Sequence, residues 1–286
     1  MQKYLYTNLM IKLILTLIFI SNLAYSSEFE VEYLQFKNEK IRTGIIHTSV
    51  SEAKGNIIYL QGLGDSMMNH MPLFTKLSDD GFNVIAFDYI GQGGSSGSMN
   101  KTTISNIGTL TDIVWKHYVK DDSKKNLLGW STGGLAAYRY AYKNPYDVKS
   151  LALMAPGVVP ALVVGDKFVI TEDTLTSQSY RLEDNPHIDQ IRPTSPIKVP
   201  VFAANLLGTA FFSRFWKINE SIKSMALFGS HKDSYINTQK SYDLIEKNNP
   251  HFDLHMYDVE GALHELDNEI PEVSEDVHER ILRFFN

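Results

Sequence analysis

Gly129-Trp130-Ser131-Thr132-Gly133 sets a serine between two glycines. An apolar, strand-like run at residues 125–130 precedes it, and residues 134–143 have a helical composition. This context predicts a sharp strand–turn–helix elbow that strains Ser131 and pushes its hydroxyl out above a sheet. Residues two before and two after must lack side chains, because strand and helix approach closely there. A serine hydroxyl is a poor nucleophile at neutral pH and needs a base. Of nine histidines, His264 is the best placed, after the last strand-like run and a Gly261-Ala262-Leu263 turn. His255 falls inside that run and His251 just before it. The base in turn needs a carboxylate to orient it and stabilise its charged form. Asp233 follows a strand-and-turn segment and precedes a helical one, whereas its rivals Asp243 and Asp258 fall within a helix and a strand. Asp233 would also serve as an ordinary turn or helix cap. A tetrahedral intermediate needs two N–H donors aimed at its oxygen. The expected pair is Thr132, at the start of a helix, and Leu63, in the turn Gln61-Gly62-Leu63-Gly64.

These residues lie far apart in the chain, so the elements between them must bring them together. Residues 28–36 (EFEVEYLQF) and 41–48 (IRTGIIHT) read as a hairpin around 37–40. Residues 56–61 (NIIYLQ), 83–89 (NVIAFDY), 125–130, 148–155 (VKSLALMA), 224–229 (SMALFG) and 252–259 (FDLHMYDV) read as further strands. Several are continuous apolar runs, as expected of strands covered on both faces. Helical patterns fill the gaps at 72–81, 104–119, 134–143, 237–247 and 273–285. In the second of these the expected buried side carries Ile104, Ile107, Leu110, Ile113, Val114 and His117. Repeated strand–helix units predict an α/β fold with a mostly parallel sheet and helices on both faces. In such sheets chemistry collects at the carboxyl ends of the strands, where Gly62-Leu63-Gly64, Ser131, Asp233 and His264 all fall. The alternation pauses at residues 157–223, which hold five of the ten prolines and so read as poor in long regular elements.

Composition removes several classes of chemistry. The chain has 286 residues and no cysteine, so thiolate catalysis, cysteine-ligated zinc and disulfides are excluded. A net charge of −6 argues against a nucleic-acid partner. No residue pattern calls for a metal or cofactor. At the N-terminus Lys3 and Lys12 are the only charged side chains before Glu28, an apolar run follows at 13–20, and Ala24-Tyr25-Ser26 supplies small residues for cleavage. Residues 1–26 are therefore expected to be a signal peptide of an exported protein, periplasmic or secreted, or a membrane anchor if left uncut. Met10 is an alternative start that would give a tidier signal.

Five motifs taken together resemble the α/β-hydrolase superfamily, within it the monoacylglycerol lipase, lysophospholipase and serine-aminopeptidase-like group. They are residues 61–66 (QGLGDS), 88–95 (DYIGQGGS), 129–133 (GWSTG), 229–233 (GSHKD) and 264–269 (HELDNE). The resemblance spans residues 30–286 and implies a serine hydrolase acting on a carboxylic ester, with Ser131, Asp233 and His264 as a triad. One departure is Gln61, where the group usually has His before the glycine. Gln is expected to hold the loop by hydrogen bonding instead. The group's architecture implies one hydrolase domain at 27–286, with a cap inserted at about 157–222. Residues 199–216 (VPVFAANLLGTAFFSRFW) are unusually apolar. They read either as cap packing or as an acyl-chain pocket or lid meeting a lipid surface, with Phe211, Phe212, Phe215 and Trp216 touching substrate. An aminopeptidase would instead need a cap carboxylate such as Glu172, Asp173, Glu183 or Asp184 to hold an amine. A non-catalytic lipid-binding protein is the third reading.

Overall fold

The structure is a computed structural model that describes residues 28–161 and 199–286. The expected signal peptide at 1–26, most of the expected cap, and Glu172, Asp173, Glu183 and Asp184 lie outside the described residues.

Among the described residues eight strands form one sheet: β1 (Phe29–Phe36), β2 (Glu39–Ile46), β3 (Gly55–Leu60), β4 (Phe82–Phe87), β5 (Lys125–Trp130), β6 (Val148–Met154), β7 (Ser224–Gly229) and β8 (His255–Asp258). Their spatial order is β1-β2-β4-β3-β5-β6-β7-β8. β1 and β2 form the predicted hairpin, with a tighter turn than expected: only Lys37 and Asn38 lie between the strands, and Lys37 takes a positive φ of 55°. β2 meets β4 antiparallel, and every later pairing is parallel. The mostly parallel α/β sheet expected from the strand–helix alternation is the one observed.

Among the described residues six α-helices cover it: α1 (Met71–Asp79), α2 (Ile104–Tyr118), α3 (Thr132–Lys143), α4 (Pro200–Ser213), α5 (Thr238–Asn248) and α6 (Pro271–Phe285). Alternate side chains of each central strand enter opposite cores. Ile58, Leu60, Leu127, Leu151 and Leu227 pack with α2, α3, α4 and α5. Ile57, Tyr59, Leu128, Trp130, Ala152 and Phe228 pack with α1 and α6 on the other face. Both faces being buried explains why these strands read as unbroken apolar runs. Among the described residues no helix is long and apolar enough to cross a membrane.

Three expectations need correction. α2 buries Thr111 and Trp115 with Ile104, Ile107, Leu110 and Val114, while Ile113 is 36% exposed and His117 bonds Glu32 at the surface. The helix is turned slightly from the predicted face. β8 is four residues long rather than eight, and its side chains are largely exposed. The proline-rich interval also holds a 14-residue helix, α4. Pro200 opens it at the first position, where the missing N–H costs nothing and the fixed φ suits a helix.

Candidate active site

The elbow is built as its glycines require. Ser131 has φ 54° and ψ −116°, a conformation a non-glycine residue rarely adopts and one that costs on the order of 1–3 kcal/mol. A Cβ on Gly133 would lie 1.9 Å from the Leu60 carbonyl oxygen, and one on Gly129 would lie 2.5 Å from that of Gly133. The strain is held by hydrogen bonds on both sides. Ser131 N–H donates to Met154 O at 2.9 Å, and the Ser131 carbonyl accepts from Leu135 and Gly157. The hydroxyl is therefore fixed at the junction of β5 and α3.

The structure brings Ser131, His264 and Asp233 together across more than a hundred residues of chain. His264 Nε2 lies 2.9 Å from Ser131 Oγ, and His264 Nδ1 lies 2.8 Å from Asp233 Oδ2. A proton on Nδ1 donates to the carboxylate and leaves Nε2 free to accept from the serine hydroxyl. The second oxygen of Asp233 accepts from Tyr235 N–H at 2.7 Å and Ile236 N–H at 3.0 Å. Asp233 thus also closes the local turn, so the two readings of it are compatible. The carboxylate is fully buried and the imidazole nearly so. His264 packs between the rings of Trp130 and Tyr235, with centroids 5.3 and 4.8 Å away. Its backbone carbonyl accepts from Trp130 Nε1 at 2.9 Å. The rivals go elsewhere: Asp258 pairs with His231 at the surface, Asp243 bonds Gln239 on α5, and His251 and His255 are exposed.

Leu63 and Thr132 sit where β3 and β5 end, on neighbouring strands. Gly62 faces the Trp130 ring so closely that a Cβ there would lie 2.4 Å from it. Gln61 holds the loop, donating from Nε2 to Asp65 O at 2.6 Å. Gln92 accepts from Gly64 N–H at 2.7 Å. Asp88, below the loop, accepts from Arg42, from Met67 N–H and from Gly94 N–H.

Phe211, Phe212, Phe215 and Trp216 are not brought to Ser131. Trp216 stacks on Tyr142, with centroids 5.6 Å apart, and its carbonyl accepts from the Tyr138 hydroxyl. Tyr142 is eleven residues along α3 from the elbow, roughly 16 Å at the rise of a helix. Trp216 is buried, whereas Phe211, Phe212 and Phe215 are 50, 59 and 66% exposed. With Arg139, Tyr142 and Trp216, Phe212 and Phe215 line an open groove of about 590 Å³ on the flank of the molecule. A role for these four in holding substrate beside Ser131 does not fit this position.

A second buried polar cluster lies behind the site and has no counterpart in the sequence reading. Its centre is His70, fully buried between Asp65 and Asp267. Asp65, His70 and Glu265 bring three possible ligand atoms within 4.8 Å of one another, a spacing that would suit a cation. Both ring nitrogens of His70, however, lie on carboxylate oxygens at hydrogen-bond distance, which a doubly protonated ring satisfies by itself. Asp65 and Asp267 fall inside the QGLGDS and HELDNE motifs; nothing local marks His70.

Comparison with known proteins agrees with this architecture. The family model for the alpha/beta hydrolase fold matches residues 55–186. Over 140 residues the chain is 29% identical to a pimeloyl-[acyl-carrier protein] methyl ester esterase of Proteus mirabilis, covering 49% of this chain and 50% of that protein. It is 26% identical over 162 residues to a poly(3-hydroxyalkanoate) depolymerase of Ectopseudomonas oleovorans, covering 56% and 55%. The chain spans about half the length of these curated relatives. A soluble variant of monoglyceride lipase from Saccharomyces cerevisiae superposes with a TM-score of 0.73 at 15% identity, covering 92% of this chain and 96% of that one. A carboxyl esterase from Bacillus coagulans gives 0.71 at 16%, covering 90% and 98%. A monoacylglycerol lipase from Paleococcus ferrophilus gives 0.68 at 20%, covering 86% and 98%. Sheet order and helix placement define a hydrolase-type α/β protein. The chain has the α/β-hydrolase fold and is similar, over part of its length, to proteins of esterase and lipase type.

Proposed function

We propose that the chain is a serine hydrolase that cleaves carboxylic esters through an acyl-enzyme, with monoacylglycerols or lysophospholipids as its substrate class. The observation that carries this reading is the continuous hydrogen-bonded line from Ser131 Oγ through His264 to buried Asp233. In the proposed mechanism Ser131 Oγ attacks the ester carbonyl as its proton passes to His264 Nε2. Asp233 stabilises the imidazolium, and the N–H groups of Leu63 and Thr132 receive the oxyanion. Collapse of the tetrahedral intermediate breaks the bond to the alcohol, which leaves with the proton from His264. A water then gives a proton to His264 and attacks the acyl-serine, and collapse of that intermediate releases the carboxylic acid as His264 returns the proton to Ser131 Oγ.

Ser131→Ala is expected to lower kcat on short p-nitrophenyl esters by at least about a thousandfold in folded protein. Turnover equal to the parent's would sink the proposal. A panel of monoacylglycerols, lysophospholipids, simple esters and aminoacyl amides tests the substrate class, and faster turnover of the amides would favour a peptidase. Failure of a fluorophosphonate to label folded protein would favour a non-catalytic binding protein.

Two further readings belong to the same proposal. The exposed aromatic row on and beyond α4, flanked by Arg139, Lys143 and Arg214, supports transient contact with a lipid surface. Export rests on the basic and apolar pattern of residues 1–26, and the mass of protein recovered outside the cytoplasm tests it.

A further inference from the structure

His70 is an imidazole with no access to solvent, placed between two carboxylates from distant parts of the chain. Its Nε2 lies 2.8 Å from Asp65 Oδ2 and its Nδ1 lies 2.6 Å from Asp267 Oδ2. Asp65 is two residues past Leu63, on the loop expected to supply an oxyanion donor. Asp267 is three residues past His264, on the loop that supplies the base. The ring therefore spans the gap between two loops that share no strand.

Both ends of this span are themselves fixed. Asp65 Oδ1 accepts from Ser66 N–H at 2.8 Å and Asn69 Nδ2 at 2.5 Å, and the Asp65 carbonyl accepts from Gln61. On the other side the Asp267 carbonyl accepts from His278 Nε2 at 2.9 Å, which ties the loop to α6. Asn268 Nδ2 bridges to Asn69 O and to Glu265 Oε1. The Trp130 ring lies between the two histidines, 5.5 Å from His70 and 5.3 Å from His264 by centroids. The residue before the nucleophile is thus clamped by the same assembly.

We infer that His70 is a positioning residue, whose ring cross-links the Leu63 loop to the His264 loop through Asp65 and Asp267 and so sets the distance between oxyanion donor and base. A neutral imidazole has one N–H and can serve only one carboxylate as a donor; two short contacts need the imidazolium. The charged groups around the ring favour that form. Asp65 and Asp267 bond to it, Glu265 lies beside it, the Tyr59 hydroxyl touches the ring with its own pKa pushed well above the usual value, and His278 is held neutral by burial. Burial opposes the charge, but the two carboxylates prevail and raise the His70 pKa to about 10. A displacement of about 1 Å between reacting groups can cost about a hundredfold in rate, so a link of this kind acts on turnover rather than on binding.

This inference rests on reading Ser131 and His264 as catalytic, and its test separates the two. In folded parent protein labelled with 15N-histidine, His70 is expected to show both ring nitrogens protonated from about pH 6 to about pH 9, against an ordinary histidine pKa of about 6.5. A neutral His70 tautomer at neutral pH overturns the cross-link whatever the activity. Asp65→Asn and Asp267→Asn keep side-chain shape and avoid leaving two buried charges unpaired, as His70→Gln would. Each is expected to lower kcat about tenfold to a hundredfold, with KM changed less than about threefold. The double variant is expected to be no slower than the worse single one, because either change breaks the same link. Parental kcat, a change confined to KM, or losses that multiply would each overturn the inference. Dialysis against EDTA is expected to change neither kcat nor the ring signals; a loss restored by zinc or calcium overturns it in favour of a metal site. Ser131→Ala measured beside these variants reports on the catalytic reading alone, and if it turns over like the parent, that reading fails while the ring signals still report the link.

Discussion

Gly133 shows how little freedom the elbow leaves. An added methyl group would meet the Leu60 and Gln61 carbonyl oxygens, and backbone cannot rotate aside as a side chain can. Gly133→Ala is expected to destabilise the fold by about 3 kcal/mol, as overpacking of a tight contact does, and chemical denaturation would measure it. Gly208, on α4 with open space around it, is the control: Ala there is expected to be neutral or slightly stabilising. The same local logic explains which site residues could be read from sequence. Ser131 announces itself because glycines must flank it, and Asp233 and His264 because each follows a strand-like run in a fixed chain order. His70 could not be read, since its two partners are brought to it by the sheet and neither is near in sequence to the other. Trp130 lies between the first glycine and the serine, with nothing local to mark it, yet its ring and N–H join the elbow to the His264 loop.

α4 separates packing from display along one helix. Phe202 is fully buried in the core against α2 and α3, whereas Phe212 is mostly exposed. Phe202→Ala is expected to cost about 3–5 kcal/mol, and Phe212→Ala less than about 0.5 kcal/mol, by thermal or urea unfolding. With substrate dispersed in anionic lipid vesicles, Phe212→Ala is expected to weaken turnover while leaving rates on soluble short esters near the parent's. Equal rates in both assays would remove the lipid-contact reading. The helix is hard to read from sequence because proline normally ends helices, and only its position at the start makes it compatible. β8 is shorter than its composition suggests for the opposite reason. Residues 252–254 carry a strand-like composition, but the sheet edge offers them no partner beyond His255–Asp258. The central strands read cleanly because burial on both faces removes all ambiguity from their composition.

The molecule as a whole depends on pH through His70. The folded chain keeps the His70 proton to about pH 10, while the unfolded chain releases it near 6.5. The contribution is therefore complete below about pH 6.5 and is lost as pH rises towards 10, at up to about 1.4 kcal/mol per pH unit. Unfolding free energies measured across that window are expected to fall with pH. A flat profile would contradict the charged state assigned to His70. A last consequence follows from β8, the short strand at the open edge of the sheet. His264 is reached through this weakly held strand, yet its loop is fastened inward by Trp130 Nε1, by Glu269 on Leu263 N–H and by Asp267 on His70. His264 thus need not share the fate of the strand that leads to it. In amide hydrogen exchange, the β8 amides are expected to exchange through local opening, well ahead of Leu263. Edge fraying on that timescale would then leave the Ser131–His264–Asp233 geometry intact, and its loss on heating would wait for the cooperative unfolding of the sheet's centre.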